Sequence, residues 1–223
     1  MKIFHSICGV FMLGDSFVFN RSIGARLLVS CLVRYPKLII LFSLKKDNDQ
    51  FTAILVYVDD LLITGSSLTH INQLKDQLKS HFHMKDLGSL SYFLGLEVSK
   101  SAQGIFISQR KYTLDLLKEA GVINHKPYKT PLDLNSKLTA DVGTPLPDPK
   151  VYRRFIGKLI YLTITRPDIC YSVQLLSQFM QTPTSVHLQA VKHLLRYLLL
   201  SPSQGILIAS NFAVQLKAFC DSD

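Results

Sequence analysis

The residues in this chain best suited to chemistry are Asp59 and Asp60, adjacent carboxylates at the end of an apolar, β-branched run from Phe51 to Val58. A second short apolar run, Leu61 to Thr64, follows and is closed by Gly65. Both runs are too short for helices and rich in strand formers, so the spacing predicts two strands hinged at the aspartates. Carboxylates side by side at a hairpin tip repel each other, and a divalent cation relieves the repulsion. Hard oxygen ligands suit Mg2+, which takes one or two carboxylates together with substrate phosphates. Two such ions about 3.5–4 Å apart can activate a hydroxyl nucleophile and stabilise the leaving oxygen of an in-line displacement. Neighbouring strand side chains point to opposite faces, so both aspartates reach metal only if the backbone bends between them, as a hairpin turn allows. Ordinary turn aspartates have the same spacing and are common, so the dipeptide alone leaves both readings open.

Other reactive residue types form weaker patterns. His81 and His83 flank Phe82, but no second pair lies at zinc spacing, and solvated histidines at a helix end are the simpler reading. His187 and His193 lie six apart on one predicted helix, which puts them on different faces. Arg166-Pro167-Asp168 reads as a helix start, with proline at the first position and an acid near the positive end. The four cysteines, Cys8, Cys31, Cys170 and Cys220, form no C-x-x-C pair. That argues against a zinc site or disulfide framework and suits an intracellular reducing compartment. The sequence contains no Gly-rich phosphate loop, no G-x-S-x-G elbow and no Cys–His nucleophile pattern.

The elements that must position these residues begin at about Lys45. Ser66 or Ser67 caps a predicted helix carrying Leu68, Ile71, Leu74, Leu78 and Phe82 on one face. Ser91 to Val98 reads as a strand, Ser99 to Gly104 as a turn and Ile105 to Ser108 as the hairpin partner. A helix from about Gln109 to Ala120 ends at Gly121. Asn124 to Pro149 is a proline-rich connector, where a subdomain boundary is expected. Helical patterns follow over about Lys150 to Thr163, Pro167 to Met180 and Ser185 to Leu200. The last has Leu188, Val191, Leu194, Leu195 and Leu198 on its apolar face and Lys192 and Arg196 opposite. Gly205 to Ala209 and Val214 to Cys220 read as strands.

Composition agrees with a folded protein: 48% of the 223 residues are hydrophobic and 18% charged. The net charge of +9 favours polyanions, most often nucleic acid, or marks a plain basic protein. Ile3 to Leu13 is apolar after Lys2, but no A-x-A cleavage site follows. Leu27 to Leu44 is interrupted by Arg34, Pro36 and Lys37, so no stable membrane association is expected.

The string Ile54 to Gly65, with Tyr57-Val58-Asp59-Asp60 at its centre, resembles the palm catalytic motif of copia-type retrotransposon reverse transcriptases. Further stretches match that family in the same order: Met84 to Gly88, Tyr92 to Val98, Ile107 to Tyr112, Lys129 to Leu132, Tyr152-Arg153, Leu159 to Thr163 and Thr165 to Tyr171. Phe219-Cys220-Asp221-Ser222-Asp223 resembles the opening strand of the family's ribonuclease H domain. Many motifs in order make the resemblance specific, over about Leu41 to Asp223. It implies an α+β fold: a divergent segment at 1–44, a partial palm and thumb at 45–130, connection helices at 131–203 and the start of a ribonuclease H fold at 204–223. It also implies RNA-directed DNA synthesis, with Asp59 and Asp60 as catalytic Mg2+ ligands and Asp221 as a ribonuclease H metal ligand. Lys111, Tyr112, Lys118, Lys192 and Arg196 would line a channel for an RNA template and an RNA–DNA or DNA primer duplex. They equally suit solvated helix faces.

The departures from the pattern matter. The family takes a third metal-binding aspartate from an earlier palm strand, and here the acids before Phe51 are Asp15, Asp47 and Asp49, none in such a pattern. The triphosphate-binding fingers and an aromatic-rich segment before Leu41 are not recognisable, and the chain has no Trp. Leu199-Leu200 replaces the family's Lys-Gly turn. A chain unable to polymerise DNA by itself is therefore expected, with a non-catalytic nucleic-acid-binding segment as the alternative.

Overall fold

A computed structural model describes residues 2–8, 40–47, 50–57, 60–133 and 138–210. The fold is mixed α and β, in two compact units: residues 1–93, 98–105 and 208–223 in one, and 94–97 and 106–207 in the other.

The first unit is built on a five-stranded sheet of β1 (Lys2–Cys8), β2 (Ile40–Asp47), β3 (Gln50–Tyr57), β4 (Asp60–Gly65) and β5 (Met84–Ser89). Its strand order is β2-β3-β4-β1-β5. β2 with β3 and β3 with β4 pair antiparallel, as short connections require. Helix α1 (Leu68–His81) then carries the chain from β4 to β5, skipping one strand position, and β1 fills that position parallel to both. Ser67 caps α1 by accepting from the His70 amide at 3.4 Å. Of the apolar face expected for α1, Ile71 is fully buried and packs with Leu61 and Ile63, while Leu74 and Leu78 lie at the margin. Leu68 and Phe82, at the two ends of the helix, are 55% and 49% exposed. β5 had no counterpart among the expected elements: its alternation is poor, and it exists through parallel pairing to β1.

A four-stranded sheet has the order β6 (Tyr92–Phe93), β7 (Leu96–Ser101), β8 (Gly104–Ser108) and β9 (Gly205–Ala209). The single strand expected over Ser91 to Val98 is broken at Leu94 (φ 50°) and Gly95 (φ 79°), both left-handed. The Tyr161 hydroxyl donates to Leu94 O, and a Cβ on Gly95 would lie 2.6 Å from that hydroxyl. A long-range contact therefore decides the break. Gly104 and Gly205 permit close strand approach: an added Cβ would meet Ile208 O at 2.0 Å and Ile107 O at 2.1 Å, respectively.

The second unit is helical. It contains α2 (Arg110–Glu119), α3 (Pro149–Leu162), a 3-10 turn (Pro167–Ile169), α4 (Cys170–Ser177) and α5 (Ser185–Leu198). Asp148 caps α3, accepting from the Lys150 amide at 2.9 Å, with Pro149 at the first helical position. Leu116, Leu117, Tyr152, Ile156, Leu159, Leu162, Leu176, Val191, Leu194, Leu195 and Leu198 share one core. The helix expected over Pro167 to Met180 starts as a 3-10 turn and ends early, where the Phe179 and Met180 amides donate three residues back to Leu176 and Ser177. The strand expected over Val214 to Cys220 lies outside the described residues. No helix of the described residues is long and apolar enough to cross a membrane.

The start of α5 is held by a histidine. Thr184 N–H donates to His187 Nδ1 at 3.0 Å, the place a Glu or Gln takes in a capping box. His187 is fully buried, stacks on Phe179 at 4.0 Å and donates from Nε2 to Thr139 O at 3.2 Å. Burial holds its pKa below the ordinary histidine value, against the opposing pull of the Thr139 hydrogen bond. A folded-state pKa below the unfolded one means full stability above the unfolded value and loss as pH falls through the folded value. His187→Gln keeps an acceptor at the cap and cannot titrate. The urea midpoint of the wild type is expected to fall between pH 7 and pH 5 more than that of His187→Gln. Parallel pH profiles would show that His187 does not carry the effect.

Candidate functional site

The aspartate hairpin is closed by Tyr57 paired with Asp60, which leaves a two-residue connection, Val58-Asp59. Asp59 lies outside the described residues. Asp60 opens β4 and is half-buried. On its other side β4 pairs with β1, with Ile3 opposite Asp60. Neither β1, Lys-Ile-Phe-His-Ser-Ile-Cys, nor β3 contains a carboxylate. The next acid across the sheet is Asp86 on β5, opposite Phe4 of β1. It is already engaged by Lys75 at 3.1 Å, Lys79 at 3.7 Å and the Gly88 amide at 2.9 Å. Burial would raise the Asp86 carboxyl, but the Gly88 hydrogen bond and the two lysines hold it below its ordinary value. Among the described residues no three His, Cys, Asp or Glu side chains cluster so as to hold a metal. Asp60 alone does not build a Mg2+ site, and no catalytic step follows from it. Asp221 also lies outside the described residues.

The basic set divides between two helices of the second unit. Lys111 and Lys118 on α2 and Lys192 on α5 are exposed, and none has an ion-pair partner among the described residues. The Lys111 amide is capped by Glu97 Oε1 at 2.7 Å. Tyr112 is turned inward: its hydroxyl donates to Lys158 O at 3.3 Å, and its ring meets Tyr161 edge-on at 5.0 Å. Arg196 is committed to the connector. Its Nε donates to Lys126 O at 2.7 Å, one Nη donates to the Tyr128 hydroxyl at 2.9 Å, and its guanidinium lies 3.9 Å from the Tyr128 ring centre. His193, one turn earlier, stacks on Tyr128 at 3.9 Å and contacts Thr130 O at 2.9 Å.

Arg166 and Asp168 do more than start a helix. Arg166 is 1% exposed and grips Asp168 through two bonds of 2.9 and 2.8 Å. It also donates to Ser201 O at 2.9 Å, and the Tyr197 hydroxyl donates to Asp168 at 2.9 Å. Burial would raise the Asp168 carboxyl, but the Arg166 and Tyr197 hydrogen bonds and the Arg166 charge hold it below its ordinary value. The sequence showed the Arg-Pro-Asp spacing, but Tyr197 and Ser201 are distant in the chain, so nothing local marks the network. His81 and His83 are exposed, as solvated helix-end histidines should be, and His187 and His193 engage separate partners.

A family model described as reverse transcriptase (RNA-dependent DNA polymerase) matches residues 16–134. The retrovirus-related Pol polyprotein from transposon RE1 of Arabidopsis thaliana is 47% identical over 169 residues, which are 76% of this chain and 12% of that polyprotein. The chain belongs to the reverse transcriptase family of copia-type retrotransposon Pol polyproteins. Two further relatives are shorter proteins. An uncharacterized mitochondrial protein of Arabidopsis thaliana is 46% identical over 171 residues, 76% of this chain and 70% of its own length. A putative transposon Ty5-1 protein of Saccharomyces cerevisiae is 36% identical over 172 residues, 76% of this chain and 56% of its own. No solved structure matches the chain. The family match begins at residue 16, upstream of the motif string that centres on Asp59 and Asp60.

Proposed function

We propose that this reverse transcriptase segment binds nucleic acid but does not carry out templated DNA synthesis on its own. In this reading 45–130 derives from palm and thumb, 131–203 from the connection and 204–223 from the start of a ribonuclease H domain. Asp59 and Asp60 are the remnant of the polymerase Mg2+ site, and Asp221 is a ribonuclease H metal ligand. The observation that carries the loss of synthesis is the strand beside Asp60: β1 pairs along β4 and brings no carboxylate. Phosphoryl transfer depends on metal-borne charge stabilisation and on positioning of the triphosphate, and among the described residues no carboxylate joins Asp60 to hold a metal.

Primer extension on an RNA template, with Mg2+ and with Mn2+, is expected to yield no product from the wild type or from the Asp59→Asn, Asp60→Asn double variant. Extension by the wild type that the double variant abolishes would overturn the proposal. Retained binding is supported by the net charge of +9 and by Lys111, Lys118 and Lys192, exposed and without ion-pair partners among the described residues. Affinity for an RNA–DNA hybrid that falls steeply with salt is the corresponding expectation.

A further inference from the structure

Between α5 and the connector that follows α2 lies a cleft of about 420 Å³, within the range of small-ligand sites. Val122, Leu138, Val186 and Ala190 give it an apolar side. Lys192, Gln189 and His125 also line it, and all three are exposed. Tyr128, His193 and Arg196 form the remaining wall, where the Tyr128 ring contacts both the His193 ring and the Arg196 guanidinium. Arg196 is fixed there by its bonds to Lys126 O and the Tyr128 hydroxyl, so little side-chain entropy is lost when it meets a ligand.

An inorganic anion would leave the apolar side unused, and an apolar ligand would leave the cations unused. A nucleotide uses both, with a planar base for the apolar and aromatic side and a phosphate for the charge. Lys192 and Arg196 both stand on α5, which puts the phosphate at the α5 side. We infer that this cleft seats one nucleotide of a single strand, its base against Val186 and Ala190 and its phosphate at Lys192 and Arg196. Aromatic walls and cationic rims are the usual means of holding single strands without reading their sequence. The inference rests on the nucleic-acid-binding reading above and assigns it a place distinct from the Asp60 hairpin.

The test measures binding of a short fluorescent oligodeoxyadenylate at low salt, with adenosine monophosphate as competitor. Lys192→Gln removes a cleft cation, Gln189→Glu adds a carboxylate at the cleft with little change of shape, and Lys150→Gln removes an exposed charge at the start of α3. All three positions are exposed, so the fold should survive, as the circular dichroism spectrum would verify. Each cleft variant is expected to weaken oligonucleotide binding about tenfold, while Lys150→Gln changes it less than about twofold. Adenosine monophosphate should compete only weakly, because it gains nothing from neighbouring phosphates. Equal weakening by Lys192→Gln and Lys150→Gln would overturn the cleft and leave general charge-driven binding intact. Tighter binding of the mononucleotide than of the oligonucleotide would overturn the strand. No wild-type binding at low salt would overturn both this inference and the reading it rests on.

Discussion

Replacing Arg166 with alanine is expected to destabilise the protein by about 3–5 kcal/mol, the typical cost of leaving a buried charge without its partner. Arg166 is almost wholly enclosed, and its side chain makes both bonds to Asp168 as well as the bond to Ser201 O. Removing it strands a partly buried carboxylate that keeps only the Tyr197 hydroxyl among these partners. The 3-10 turn before α4 and the chain just after α5 also lose their shared anchor. Asp168→Asn should cost less, because a neutral amide still accepts from Tyr197 and Arg166 retains Ser201 O. Urea denaturation monitored by helical circular dichroism would measure both. A loss below about 1 kcal/mol for Arg166→Ala would mean that water reaches the site and solvates the carboxylate.

The same network sets an acid limit. The Asp168 carboxyl is held below its ordinary value, so its contribution is complete above the unfolded pKa and fades as pH falls through the folded one. Acid unfolding of the wild type should therefore steepen in that range, and in Asp168→Asn that component should be absent.

Leu194→Ala is expected to cost about 2–5 kcal/mol, through lost transfer energy and an unfilled cavity. Leu194 is fully buried in the core shared with Leu159, Leu162 and Leu198, and helices on several sides limit collapse around a void. Leu200→Ala is the matched comparison. Leu200 lies just past the end of α5 and is 50% exposed. Its truncation should change stability by less than about 0.5 kcal/mol. Equal losses at the two positions would mean that the end of α5 packs against something the described residues do not include.

Those two leucines show how far a local pattern reaches. The run from Leu188 to Leu198 repeats at helical spacing, so its buried face could be read from the sequence, and the structure buries Val191, Leu194, Leu195 and Leu198. The same holds for α1 with its Ser67 cap, for α2 ending at Gly121, for α3 from about Lys150 and for the β3–β4 hairpin. In each case neighbours along the chain supply both the periodicity and the signals that stop it. The family was legible for a related reason, because its motifs are short contiguous strings, and the comparisons bear it out.

What the sequence determined by itself was therefore the list of helices, the aspartate hairpin and the descent from a copia-type reverse transcriptase. Tertiary structure alone decided which strand lies beside Asp60, since β1 reaches that position by parallel pairing that no local spacing encodes. It also decided that Arg196 clamps Tyr128 while Lys192 on the same helix stays exposed, and that Arg166 is buried against Asp168. Periodicity fixes which face of an element is apolar. The partner a polar side chain finds depends on what packing brings to it from distant parts of the chain, and no local spacing encodes that choice.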